Sequence, residues 1–337
     1  MAQFIKYTSA DASAPVLDGQ AGSLIALFKA CLVDGYGAKA AAGWTQPVAT
    51  SGNIGSFKQG AAAKAGFGFV INDNGPNATS TFKEAWATGY KVVTGVGASV
   101  GSGSGQFPTA AQLLTSGHVV IRKSTAASAV TRQWTLFADD RTMYFFARTG
   151  DFTYLGTPNY TDFSFGEFYS YAGSSDVNNC YIMGRNIENS GTNVVTSGSI
   201  DSCNPACQTT TPPTGSYFAD TPSGSQGSTV LFRCNDVTRF PSITSVTSAF
   251  RSIGNIPAPN GADGNYYLAP GTLSGADGAI RGRLRGFVYP SHGEAAFADG
   301  AVITGSGYFD TRTFQVLIYG AASGVIAIET SATLDTN

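Results

Sequence analysis

Apolar residues in this chain come in short runs cut by polar turns and glycine, and that spacing constrains the fold more than any motif does. The clearest case is RQWTLFADDRTMYFFART, residues 132–149. Two aromatic-rich runs flank a tight polar turn at Asp139, Asp140 and Arg141, a pattern that predicts a β-hairpin. Comparable runs recur along the chain: GFGFVIN (66–72), YKVV (90–93), GHVVIRK (117–123), NNCYIMGRN (178–186), STVLFRCN (228–235), LRGFVYP (284–290) and GAVITG (300–305). ADGNYYLAPGTL (262–273) reads as a surface loop leading into a strand. TFQVLIYGAASGVIAIET predicts a closing hairpin with its tip at residues 320–324.

One segment breaks the rule. In residues 20–34, Leu24, Leu27, Phe28, Cys31 and Leu32 recur at helical spacing, with Asp18 as a start signal and Gly35 as a stop. The expected fold is therefore mainly β, with antiparallel sheets in sandwich- or barrel-like lobes and one amphipathic N-terminal helix that packs on a sheet. Residues 204–228 are rich in Pro, Thr, Ser and Gly, and Pro212 and Pro213 suit neither a helix nor a central strand. They read as a long loop or linker between an N-terminal lobe, 1–203, and a C-terminal lobe, 229–337. A length of 337 residues fits one large domain or two smaller ones.

Charge narrows the class of partner. Charged residues make up 12% of the chain, against about 25% in ordinary globular domains. So few charges point to a surface partly covered by other subunits. The net charge is −2, with no run of Lys or Arg, so no nucleic-acid partner is expected. The densest basic stretch, IRGRLRG, places Arg281, Arg283 and Arg285 at alternate positions, which suits ion pairs within the chain or at an interface. The opening residues lack the apolar core of a signal peptide, and no run of eighteen apolar residues occurs. The expectation is synthesis in a cytoplasm and no membrane partner. Cys31 and Cys180 read as small core residues. Cys203 and Cys207 lie four apart without a second pair or a nearby His, which speaks against zinc and leaves a local disulfide open.

No motif declares a chemistry. TGVGASVGSGSGQFP (94–108) contains Gly95, Gly97, Gly101, Gly103 and Gly105, but no helix opens after it and no Gly-Lys-Ser/Thr exists anywhere. It reads as a mobile surface loop rather than a phosphate cradle, with Thr109 capping a short helix beyond it. A nucleophilic triad would need His118 or His292, and neither lies in a Gly-x-Ser-x-Gly elbow, although His292 has Ser291 and Glu294 beside it. Paired carboxylates for glycan cleavage could be drawn from Asp139, Asp140, Asp162 and Glu167. The hairpin turn accounts for the first two. The last two sit in NYTDFSFGEFYSY (159–171), which suits a sugar platform or a buried strand. The expectation is no enzyme, and no catalytic, cofactor-binding or metal-binding residue.

Several stretches, taken in order, resemble structural proteins of tailed bacteriophages. They are the opening YTSADASAPVLDGQAGSLIALFKACLVDGYGAKAAAGWTQP, the hairpin WTLFADDRTMYFFARTGD, and then FSFGEFYSY, NNCYIMGRNIENSG, IRGRLRGFVYP and FDTRTFQVLIY. Residues 185–265 fit least. The resemblance implies a virion component of the tail, baseplate or neck, made in the host cytoplasm and present in symmetry-related copies. Its partners would be itself and other virion proteins. The alternatives are a carbohydrate- or receptor-binding virion module that uses residues 160–171 on a host-surface glycan, a capsid decoration protein, and a hydrolase of surface glycan.

Overall fold

A computed structural model of the chain describes residues 3–74, 83–97, 101–109, 117–124, 126–150, 160–185, 214–219, 231–233, 268–274, 280–290, 297–319 and 324–331. The protein is mainly β, with antiparallel sheets, a half-barrel curvature and one helix. The helical stripe forms α1 (Ser23–Lys29), and a wider π-turn continues it over Ala30–Asp34. It stops at Gly35, whose φ of 80° lies where glycine goes at little cost. Leu24, Leu27, Phe28, Cys31 and Leu32 are all fully buried. The start differs from the sequence expectation. Asp18 accepts a hydrogen bond from the Gln20 N–H, while the helical N–H of Leu24 is held by Asp73 Oδ2 at 2.8 Å, forty-nine positions away.

The N-terminal sheet has two branches that meet at β10 (Cys180–Arg185). One runs outward through β9 (Tyr160–Ser170), β8 (Thr142–Arg148) and β7 (Trp134–Ala138) to β1 (Ile5–Thr8). The other starts where Arg185 bridges Val120 of β6 (Val119–Ser124) and continues through β4 (Lys83–Gly95) and β3 (Gly68–Asn72) to β2 (Ile54–Lys58). The branches face each other across an aromatic core that α1 plugs. The Phe28 ring lies within 5.2–6.2 Å of Phe57 on β2, Phe69 on β3, Phe145 on β8 and Phe163 on β9. The expected hairpin is β7–β8.

Two loop expectations are corrected. Residues 102–107, inside the Gly/Ser stretch, form β5 (Ser102–Phe107), which pairs with β4 from Gly89↔Phe107 to Gly95↔Ser102. Glycine here serves close approach rather than mobility. A Cβ on Gly103 would fall 2.3 Å from the Val92 carbonyl and 2.6 Å from the Tyr90 ring. Within 204–228, residues Thr214–Phe218 form β11, paired along β10, because backbone ladder bonds override a loop-like composition. Apart from Ala219, the rest of that segment, the short helix expected after Thr109 and the hairpin tip at 320–323 lie outside the described residues.

The C-terminal sheet runs β12 (Leu231–Arg233), β13 (Leu268–Ser274), β14 (Ile280–Pro290), β17 (Gly324–Glu329), β16 (Thr313–Tyr319), β15 (Val302–Thr304). Its central strand changes partner. Residues 282–284 of β14 pair with β9, and residues 287–288 pair with β17. Gly286, with φ 59°, sits at the switch. Leu273, Leu284, Phe287, Ile326 and Ile328 pack on the outer face of the N-terminal sheet, against Tyr144, Phe168, Tyr181 and Met183.

Candidate functional site

The best-built polar site is the tip of the β7–β8 hairpin, where the two sheets join. Asp139 closes the turn: its Oδ1 accepts the N–H groups of Arg141 at 2.9 Å and Thr142 at 2.8 Å. Such a local side-chain bond is why Asp recurs in turns. Arg285, delivered by β14, then grips the same carboxylate with both nitrogens, at 2.9 and 2.7 Å. Its Nη1 also donates to Thr142 Oγ1 at 3.0 Å, and Thr142 Oγ1 donates to the Glu167 carbonyl at 3.0 Å. The Tyr144 hydroxyl donates to the Arg285 carbonyl at 2.9 Å. From the helix side, Trp44 Nε1 donates to the Asp139 carbonyl, Gln59 Nε2 to the Arg141 carbonyl and the Gly60 N–H to the Asp140 carbonyl.

Asp139 and Arg285 are both buried. Burial alone would disfavour the guanidinium charge, but Asp139 more than offsets this and holds the Arg285 proton above its ordinary range. A bidentate pair with its remaining hydrogen-bonding groups engaged is a joint. It offers neither an open coordination position nor a free base.

The other sequence candidates are placed apart. Asp162 and Glu167 are both buried on β9, and five residues of strand separate their backbones by about 16 Å. Strand alternation also sends them to opposite faces. Glycosidase carboxylates converge at about 5–10 Å across one bond, so these two cannot act as such a pair. Glu167 accepts the Lys64 N–H, with the Arg141 guanidinium 4.0 Å away. Burial nonetheless raises its carboxyl above the usual range. His118 is buried and stacked on Trp86, with ring centres 3.9 Å apart. Burial lowers its pKa to about 3, which leaves a neutral imidazole at ordinary pH. Phe163, Phe165 and Phe168 of the aromatic run are core residues, whereas Tyr171 at its end is exposed. Arg281 pairs with Asp176 at 3.8 Å, while the Arg283 guanidinium lies over the Tyr169 ring at 5.1 Å. Cys31 and Cys180 are free, buried thiols. His292, Ser291, Glu294, Cys203, Cys207 and Cys234 lie outside the described residues. Among the described residues, no group of three or more His, Cys, Asp or Glu is placed to hold a metal, and no helix is long and apolar enough to cross a membrane.

Sequence reasoning missed two buried charge pairs, Glu84–Arg122 at 3.4 Å and Asp73–Lys123 at 2.5 Å. The one signal for them was the pair Arg122-Lys123 at the end of an apolar strand run, since alternation must send at least one of two adjacent charges inward. Comparison of the chain with protein-family models, with curated proteins and with solved structures finds no match.

Proposed function

We propose that the chain is a repeated structural subunit of a tailed-bacteriophage virion, making protein–protein contacts with itself and with other virion proteins in the tail, baseplate or neck. The observation that carries this reading is the use made of the candidate chemical groups. Asp139 and Arg285 tie one sheet to the other, Glu167 anchors the chain at Lys64, and His118 is a stacked neutral ring. These residues act as framework. The buried aromatic run argues against a glycan platform at Phe163, Phe165 and Phe168, because their faces are occupied by neighbouring rings and strands.

The β4–β5 hairpin suits subunit contact. Val92 is 55% exposed at its outer end, and Ser102, Gly103, Ser104 and Gly105 are exposed and uncharged. Among the described residues β5 pairs with β4 alone, and a strand edge whose own residues carry no charge is the kind that accepts another chain. Closed symmetry would repeat such a contact without runaway growth.

The test is quantitative mass spectrometry of purified particles of a phage that encodes the chain, with hydrogen exchange at residues 102–105 in the free protein and in the particle. The expected result is a fixed copy number per particle and slower exchange in the particle. Absence of the chain from purified particles overturns the proposal. So does glycan cleavage by the pure protein that is lost in Asp162→Asn or Glu167→Gln.

A further inference from the structure

Lys123 and Asp73 meet in a way that a stability role does not require. The β4–β6 ladder pairs Lys83 with Ser124 and Glu84 with Arg122, so Lys123 is the extra residue of a bulge. Bulges re-aim side chains, and this one reaches the start of α1. There its Nζ stands 2.5 Å from Asp73 Oδ1, 2.5 Å from the Gln20 carbonyl and 3.3 Å from the Asp73 carbonyl. Both side chains are 1% exposed or less. Oδ1 is buried, with the amine at contact distance. The other oxygen, Oδ2, accepts the Leu24 N–H at 2.8 Å, and the Asp73 N–H is fixed on the Asn53 carbonyl at 2.8 Å.

These groups supply the parts of an acyl-transfer site: an amine nucleophile, a carboxyl carbon held against it, and a backbone N–H on the oxygen that would carry the developing negative charge. We propose that Lys123 and Asp73 form an intramolecular amide cross-link. The ammonium first passes one proton to Oδ1, giving a neutral amine and a carboxylic acid. Nζ attacks Cγ, and the charge develops on Oδ2, facing the Leu24 N–H. Nζ then loses a second proton to Oδ1, the Cγ–Oδ1 bond breaks, and Oδ1 leaves as water. An ammonium and a carboxylate become one amide and one water, with no oxidant, reductant or co-reactant.

The surroundings favour that course. Burial pushes the Asp73 carboxyl up and the Lys123 amine down, which tips the pair toward its neutral, reactive forms. The other charged groups facing the amine are Asp18 and Lys83. Condensation removes two buried charges, whose desolvation is otherwise costly. It also closes residues 74–122 into a covalent loop that ties β6 to the end of β3, beside the start of α1, a constraint on the unfolded chain of the kind a disulfide imposes.

The test is the intact mass of the natively folded full-length protein, followed by proteolysis and fragment sequencing. The expected mass is that of the sequence less one water molecule, with a branched peptide joining the segments that contain Lys123 and Asp73. Lys123→Arg should restore the full sequence mass. The wild-type mass is decisive even where that variant fails to fold. An unmodified wild-type mass overturns the proposal. So does a water loss that maps to succinimide at any of the five Asp-Gly pairs, at residues 18–19, 34–35, 263–264, 277–278 and 299–300, instead of to a Lys123–Asp73 branch.

Discussion

Phe28 and its neighbour Leu27 show how much rests on single side chains here. Both are fully buried, and the Phe28 ring touches rings from four strands in both branches of the sheet. Leu27→Ala should cost roughly 2–5 kcal/mol, the range for buried leucines that leave a cavity. A denaturant titration of the purified variant measures it, and an unchanged midpoint would mean that this helix face is not core. His118 has a pH signature. Its folded pKa of about 3 lies below the ordinary value of 6.5, so between those values the unfolded chain binds a proton that the folded chain refuses. Its contribution is complete above pH 6.5 and is lost as pH falls toward 3, amounting to about 2 kcal/mol by pH 5. Glu167, raised by burial, acts in the opposite sense over the carboxylate range. Comparing wild type with His118→Phe therefore isolates the histidine. The variant should lose less stability than wild type between pH 7.5 and pH 5, and parallel losses would refute the assignment.

At the scale of elements, the decisive feature is that β14 serves two sheets. Its residues 282–284 lie against β9, and a Cβ on Gly282 would fall 2.1 Å from the Tyr169 carbonyl and 2.6 Å from the Phe168 ring. Glycine is needed for that close approach, and an added methyl must push the strands apart. Gly282→Ala should therefore destabilise by about 1–3 kcal/mol, the cost of overpacking a dense interior. Backbone hydrogen exchange at residues 168–170 should rise with it. A variant with unchanged midpoint and unchanged exchange would mean that the β9–β14 contact is loose. Glycine has the same use at Gly103, which is why a Gly/Ser-rich segment is a strand.

For the whole molecule, the Asp139–Arg285 joint and the shared core above it link the two sheets energetically. Trp44, Trp86 and Trp134 all lie in the N-terminal part of the chain, so tryptophan fluorescence reports on that part, while circular dichroism reports on strands throughout. The two signals should change together in a thermal or denaturant scan. Arg285→Ala leaves the Asp139 charge buried and should cost about 3–5 kcal/mol, moving both signals to lower stability together. Two separated transitions in the wild type would show that the sheets unfold independently and that the joint couples them weakly.

What the sequence determined by itself was local. Apolar runs of strand length, the polar turn at Asp139 and the helical stripe of Leu24, Leu27, Phe28, Cys31 and Leu32 each carry their signal within a few residues. The mainly β class and the single helix followed from them. Tertiary structure decided what depends on partners far away in the chain. Asp73 reaches the start of α1 across forty-nine positions, Arg285 reaches Asp139 across 146, and a bulge turns Lys123 inward. None of these leaves a local period, because each is fixed by which strands pair and in what register. The segments misread as loops failed for the same reason. Gly and Ser look permissive in isolation, but a neighbouring strand that offers its backbone hydrogen bonds at close range can hold them in a ladder.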